Sequence, residues 1–262
     1  MAKVFIGVGH GGKDPGAVAN GLKEKDLNLS VALACQAELA RHGVAVLMSR
    51  TKDESEELSE RIKECNAYDP ELALDIHCNA GGGDGAEVFH HYGGGKGKTL
   101  ANNILAEVVA IGQNSRGAKT KLNSSGKDYY GFIRQTEADA VIVECAFIDN
   151  STDVKIIDTA DEQKKMGVAI AKGVLKTLGI AYKEEKGTIE VKVSVLKKGA
   201  KGDQVKALQA LLIGYGYSCG WSGVDGSFGG STDKAVRNYQ KDHGLEVDGS
   251  VGAKTWNKLL GN

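Results

Sequence analysis

The chain has 262 residues, 41% hydrophobic and 26% charged, the balance of an ordinary globular protein with room for one larger and one smaller domain. Its formal net charge of -1 excludes a mainly electrostatic grip on nucleic acid or anionic membrane, which needs a clear excess of Lys and Arg. No run approaches the roughly 20 apolar residues of a membrane span.

Short apolar runs alternate with amphipathic stretches over the first 180 residues. Val4–Val8, Val44–Met48, Leu72–Ile76, Ala86–His90 and Ala140–Val143 read as strands. Leu27–Arg41, Glu56–Cys65, Lys98–Ile111 and Asp161–Leu178 read as helices, with apolar residues recurring at three and four. Strands alternating with helices imply an α/β fold, with a mixed, largely parallel sheet flanked by helices. Residues 1–181 form this first domain, and residues 182–194, opening on the charged, aperiodic Lys183–Gly187, are read as a linker. Within it, Ile189, Val191 and Val193 fall at period two, which suits a short strand or an extended tether.

Residues 195–262 contain an internal repeat and read as a small all-α, three-helix domain. Val224-Asp225-Gly226-Ser227-Phe228-Gly229 returns 23 residues later as Val247-Asp248-Gly249-Ser250-Val251-Gly252. Asp-Gly is a turn signal, and Thr232 and Thr255 stand where helices are expected to begin. A first helix, Gln204–Ile213, precedes both copies. A calcium loop over Asp225–Val236 is rejected, because Val236 occupies the position that needs a bidentate carboxylate.

The five cysteines, Cys35, Cys65, Cys78, Cys145 and Cys219, include no CxxC pair and are expected to be reduced. The loop from Gly7 to Lys13 partly matches two phosphate-binding patterns. Both need a helix at the last glycine, whereas Asp14-Pro15-Gly16 makes a turn. The loop is therefore read as a device that places His10.

Three strand ends carry the chemistry. His10 follows the first strand, His77 follows Leu72–Ile76, and Glu144 follows Ala140–Val143. In an open α/β sheet, ligands gather beyond the carboxyl ends of parallel strands. Two imidazoles and a carboxylate with an open fourth position make a catalytic zinc set. A carboxylate that is not a ligand can instead act as the base. The spacing leaves Glu144 open to either role. His90 and His91 are read as a polar strand end, and His42 and His243 as solvent-facing. The Lys119–Tyr130 loop, with Tyr129, Tyr130 and Arg134, is a candidate for substrate contact.

Several motifs occur in a fixed order: Val8-Gly9-His10-Gly11-Gly12-Lys13-Asp14-Pro15-Gly16-Ala17, Lys23-Glu24-Lys25-Asp26-Leu27-Asn28, Arg50-Thr51, Asp75-Ile76-His77-Cys78-Asn79-Ala80, Gly85-Ala86-Glu87-Val88 and Val141-Ile142-Val143-Glu144-Cys145. Together they resemble the zinc N-acetylmuramoyl-L-alanine amidase family. Leu196–Leu260, with Gly199-x-x-Gly202-Asp203 and both Asp-Gly turns, resembles the three-helix peptidoglycan-binding family. The resemblance implies that His10, Glu24 and His77 hold Zn²⁺ and that Glu144 is the catalytic acid–base. Asn79 joins Tyr130 and Arg134 as a candidate for touching substrate. Cys78 departs from the family's small residue, but strand alternation points it away from the metal. The implied partner is bacterial peptidoglycan, with no nucleic acid or membrane, and the expected state is a monomer.

Met1-Ala2-Lys3 leads into an apolar run too short for a signal peptide, so synthesis in the cytoplasm and action on the wall after holin-mediated or lytic release are expected, as in an endolysin or autolysin. The rival readings are a zinc peptidase cutting within the stem peptide and a non-catalytic wall-binding protein.

Overall fold

A computed structural model describes residues 1–184 and 194–261. Contacts divide the chain after Glu184 into two compact units. In the first, the strands are β1 (Lys3–Val8), β2 (Val18–Ala19), β3 (Leu22–Lys23), β4 (Ala45–Met48), β5 (Leu72–Asn79), β6 (Ala86–His90), β7 (Ser115–Lys119) and β8 (Asp139–Phe147). The helices are α1 (Glu24–Arg41), α2 (Leu58–Tyr68), α3 (Gly95–Ala110), α4 (Gly131–Gln135) and α5 (Ala160–Thr177).

Six strands form one sheet in the order β4-β1-β5-β8-β6-β7. The first four are mutually parallel, β6 runs antiparallel to β8, and β7 runs parallel to β6. The sheet is thus mixed and largely parallel.

Period-two alternation gives its two faces different tasks. Leu72, Leu74, Ile76 and Cys78 of β5 and Val141, Val143 and Cys145 of β8 join the large core with Val31, Ile104 and Ile170, from α1, α3 and α5. Phe5, Ala73, Phe89 and Ile142 on the other face meet a smaller cluster with Ile62 of α2 and Phe132 of α4. Asp75, His77, Asn79, Glu87 and Glu144 share the parity of this second face, where β5 and β8 run past α2 and α4.

Two local devices set the boundaries. A capping box at Thr159 and Glu162 satisfies the first turn of α5. Edge strand β7, with Ser115 and Arg116 exposed, has no apolar alternation to betray it in the sequence. At the unit's end, Tyr182 stacks on His42 at 5.0 Å and the Lys183 N–H donates to His42 Nε2 at 2.9 Å. His42 is therefore not solvent-facing: its side chain is 1% exposed, covered by residues that composition alone assigned to a linker. The period-two stretch at 189–193 lies outside the described residues.

Among its described residues the second unit has three helices, α6 (Asp203–Gly214), α7 (Gly230–Asp242) and α8 (Ala253–Leu259), around Val205, Leu208, Leu212, Val236, Tyr239 and Trp256. The sequence repeat is a structural repeat. Buried Gln209 on α6 donates from Nε2 to Asp225 Oδ1, Ser227 O and Thr232 Oγ1, and its Oε1 accepts from the Gly226 N–H. Buried Gln240 on α7 makes the same four bonds to Asp248, Ser250, Thr255 and Gly249. Thr232 and Thr255 sit inside the first helical turn, not ahead of it, because each hydroxyl is buried against its glutamine.

Candidate metal centre

Three chain features bring the donors together. The first is the loop after β1. His10 takes a φ of 61°, a left-handed conformation uncommon outside glycine and a mark of a functionally constrained site. Arg50, 2% exposed, anchors this loop from Nε to Val8 O and from Nη2 to Gly9 O. The second is a tight hairpin, β2–β3, turning on Asn20 and Gly21 with positive φ at both, the geometry of a type I′ turn. It folds the chain back so that Glu24, the first residue of α1, faces His10. The third is β5, which continues through His77 to Asn79.

The histidine and its strand neighbour are therefore not strand-end residues. His77 and Glu144 lie within their strands and pair in register across β5 and β8. The apolar runs stop at Ile76 and Val143, but backbone pairing continues until a register shift beyond His77.

One ligand atom from each of His10, Glu24 and His77 lies within 4.8 Å of the others. Glu24 Oε1 is 3.1 Å from His10 Nε2 and 3.0 Å from His77 Nδ1. The remaining ring nitrogens are occupied: His10 Nδ1 is 2.7 Å from Asp14 Oδ2, and His77 Nε2 is 3.4 Å from Asp75 Oδ2. Arg61 holds Asp75 with Nη1 at 3.0 and 3.2 Å from its two oxygens. Carboxylates behind metal-binding imidazoles fix tautomer and ring orientation. Space is kept by glycine: a Cβ on Gly9 would lie 2.3 Å from the His77 ring, and one on Gly16 2.6 Å from Glu24 Oε2. The donor set and its free side fit a zinc-sized ion with an open coordination position.

Electrostatics agree with close convergence. Burial pushes the Glu24 carboxyl up, but hydrogen bonds from His10 and His77 outweigh it and hold the group well below the usual carboxylate range. The Glu24 hydrogen bond raises the pKa of His10 against burial, and Asp14 adds to it. Burial lowers that of His77, yet the Asp75 charge dominates with its hydrogen bonds and the net shift is well upward.

Glu144 is different. Burial drives its pKa up to about 7, and its buried Oε2 has no hydrogen-bond partner among the described residues. An unpartnered carboxylate beside a donor cluster is placed to accept and return a proton. A cleft of about 840 Å³, lined by residues including His10, His77, Lys13, Leu58, Tyr130 and Phe132, opens onto the site.

The other sequence candidates fall at differing distances from this chemistry. Tyr130 lines the cleft and packs on Phe89 at 4.8 Å. Asn79 donates to Glu87 Oε1 at 3.0 Å. Arg134 is exposed and turned back onto its own loop, donating to the carbonyls of Asp128 and Tyr129. Cys78 lies in the large core on the opposite face from His77, and all five cysteines are free and buried. His90 is buried with Nδ1 against His91 O, and His91 lies 3.1 Å from Asp128. Neither joins a metal-binding group among the described residues. Arg116 carries no signal in the sequence, whereas Lys119 opens the candidate loop and Glu87 stands in the Gly85–Val88 motif with the site-face parity of β6.

A His–Glu–His set with an open side and an unpaired carboxylate in register beside it belongs to a metal-dependent hydrolase. Comparison with known proteins narrows that class. Residues 4–176 match the family model described as N-acetylmuramoyl-L-alanine amidase, and residues 201–259 match the one described as putative peptidoglycan binding domain. The chain belongs to the N-acetylmuramoyl-L-alanine amidase family. It is 32% identical to the N-acetylmuramoyl-L-alanine amidase CwlM of Bacillus licheniformis over 81% of this chain and 85% of that one. It is 32% identical to the sporulation-specific amidase of Bacillus subtilis (strain 168) over 78% and 79%. Among solved structures, Cwp6 from Clostridium difficile superimposes with a TM-score of 0.67 at 37% identity, over 68% of this chain and 29% of that one. AmiC2 of Nostoc punctiforme gives 0.62 at 28% identity, over 68% and 97%. No helix among the described residues is long and apolar enough to cross a membrane.

Proposed function

We propose that this peptidoglycan amidase works with zinc held by His10, Glu24 and His77, and that Glu144 moves the proton. The reaction is hydrolysis of the amide between N-acetylmuramic acid and L-alanine. The observation that carries the site reading is the register of Glu144 with His77, which sets an unpaired carboxylate beside three converging donors.

When bound, zinc supplies Lewis acidity: it polarises the carbonyl and acidifies water. His10 and His77 offer Nε2 and Nδ1, because Asp14 and Asp75 engage the opposite ring nitrogens. Glu24 brings the negative charge that offsets part of the cation's. Glu144 Oε2 takes a proton from the attacking water and returns it to the alanine nitrogen as the C–N bond breaks. A carboxyl with a pKa near neutrality suits both halves of that transfer.

Residues 195–262 are proposed to hold the enzyme on the wall polymer, with the segment 182–194 joining the domains and a monomer as the working form. Tethering to a polymer with many sites raises local enzyme concentration. Action on the wall after release by lysis, as in an endolysin or autolysin, completes this reading.

The test is mass analysis of digested peptidoglycan. Wild-type enzyme should expose the amine of L-alanine, and a chelator should abolish this. Glu144→Gln should retain zinc and lose turnover by about 10²–10⁴-fold. Full turnover by that variant overturns the role of Glu144. A new amine from within the stem overturns the amidase assignment in favour of a peptidase.

A further inference from the structure

We propose that Arg116 and Lys119, held by Glu87, form a seat for a carboxylate on the stem-peptide half of the substrate, and so select walls by the state of that group. This rests on the zinc amidase reading and deepens it.

The argument begins with register. His77 pairs with Glu144 across β5 and β8, and Glu144 pairs with Glu87 across β8 and β6. Three side chains thus stand in a row on one sheet face. Neighbouring strands lie about 4.8 Å apart, so Glu87 stands about 10 Å from His77 in the strand plane. His10 follows β1, on the other side of β5. The donor cluster therefore lies to one side of Glu144 and Glu87 to the other. Glu144 hands its proton to the leaving nitrogen. The scissile carbonyl lies toward the donors, so the chain beyond that nitrogen continues past Glu144 toward Glu87.

What waits there is a built cationic site. Glu87, its side chain 7% exposed, accepts from Arg116 Nε at 2.8 Å and from Lys119 Nζ at 2.5 Å. Asn79 donates to its other oxygen at 3.0 Å. One buried carboxylate thus holds two cations whose side chains are 37% and 34% exposed, leaving one positive charge toward solvent. The Arg116 guanidinium lies 4.9 Å from the Phe147 ring centroid, which orients it. Its two terminal nitrogens have no hydrogen-bond partner among the described residues. A planar fork with both prongs free is matched to a carboxylate taken bidentately.

In the stem peptide the residue after L-alanine is a glutamyl residue, whose α-carboxyl is free in some walls and amidated in others. The free carboxylate complements the seat; the amide carries no charge to meet it.

The experiment compares two soluble muropeptides that differ only in that group. Wild-type enzyme should favour the free acid by about 10-fold in kcat/KM, through KM, as expected for charge-assisted hydrogen bonds. Arg116→Gln with Lys119→Gln should erase the preference by raising KM for the acid, with kcat on the amidated substrate and zinc content unchanged. Lys119→Gln alone, which leaves the Arg116 fork in place, should show a partial loss and serves if the double variant does not fold. Equal constants for both substrates in the wild-type enzyme, or a preference that survives the substitutions, overturns the seat. Cleavage of neither substrate overturns the amidase reading itself.

Discussion

Ile76 and His77 are neighbours in the chain and opposites in surroundings. Ile76 is fully buried with Val143 against the helices, while His77 shares the other face with Glu144 and opens onto the cleft. The same holds for Val143 and Glu144, one residue apart. One face of these strands holds the fold together and the other carries His77 and the unpartnered Glu144 carboxyl. The difference teaches that strand alternation lets stability and chemistry occupy the same two strands without mixing.

Substitutions on the two faces should therefore fail differently. Ile76→Ala should lower unfolding free energy by about 2–5 kcal/mol through loss of buried methyl groups and the cavity left behind. Denaturant unfolding measures this, and zinc stoichiometry of the folded protein should not change. Loss of zinc in that variant would break the separation. On the site face, Asp14→Asn should weaken zinc binding by about 10–100-fold, since it loosens His10, while leaving the unfolding midpoint of the metal-free protein nearly in place. Competition with a chromogenic chelator reads it out.

The second unit gives a contrast of another kind, since its order rests on a buried polar hub. Gln240→Ala strips partners from Asp248, Ser250, Thr255 and Gly249 and should destabilise that unit by about 1–3 kcal/mol. Retention on whole sacculi should weaken while soluble muropeptides are still cut. Equal loss of both would show that the two units do not divide the work.

A last contrast concerns pH. Burial raises the Glu144 carboxyl from its ordinary 4.5 to about 7. Below 4.5 it is neutral in both folded and unfolded chains. As pH rises from 4.5 to about 7, the unfolded chain ionises while the folded one keeps its proton, so folding stability falls. Glu144→Gln cannot titrate. Metal-free Glu144→Gln should therefore match the wild type below pH 4.5 and become the more stable of the two toward pH 7, as thermal unfolding across that range would show. The reverse trend would mean that the carboxylate has a partner.

Local periodicity was enough to announce five of the sheet's six strands and the four long helices of the first unit, because apolar spacing is a property of adjacent residues. It also exposed the 224 and 247 repeat and picked out His10, His77 and Glu144 as residues that interrupt apolar runs. It missed β7, which buries too little to show a pattern, and the Asn20-Gly21 hairpin, whose two-residue strands are too short to alternate. Glu24 entered only through resemblance, since a glutamate opening a helix looks like any solvated charge until the hairpin turns it toward His10. The tertiary structure alone decided which ring nitrogens face the centre, that Gln209 and Gln240 knit the repeats, and that Glu87 gathers Arg116 and Lys119 beyond Glu144. Each of these depends on register between strands or turns far apart in the chain. A periodic pattern fixes which face a residue takes, but not what stands beside it there.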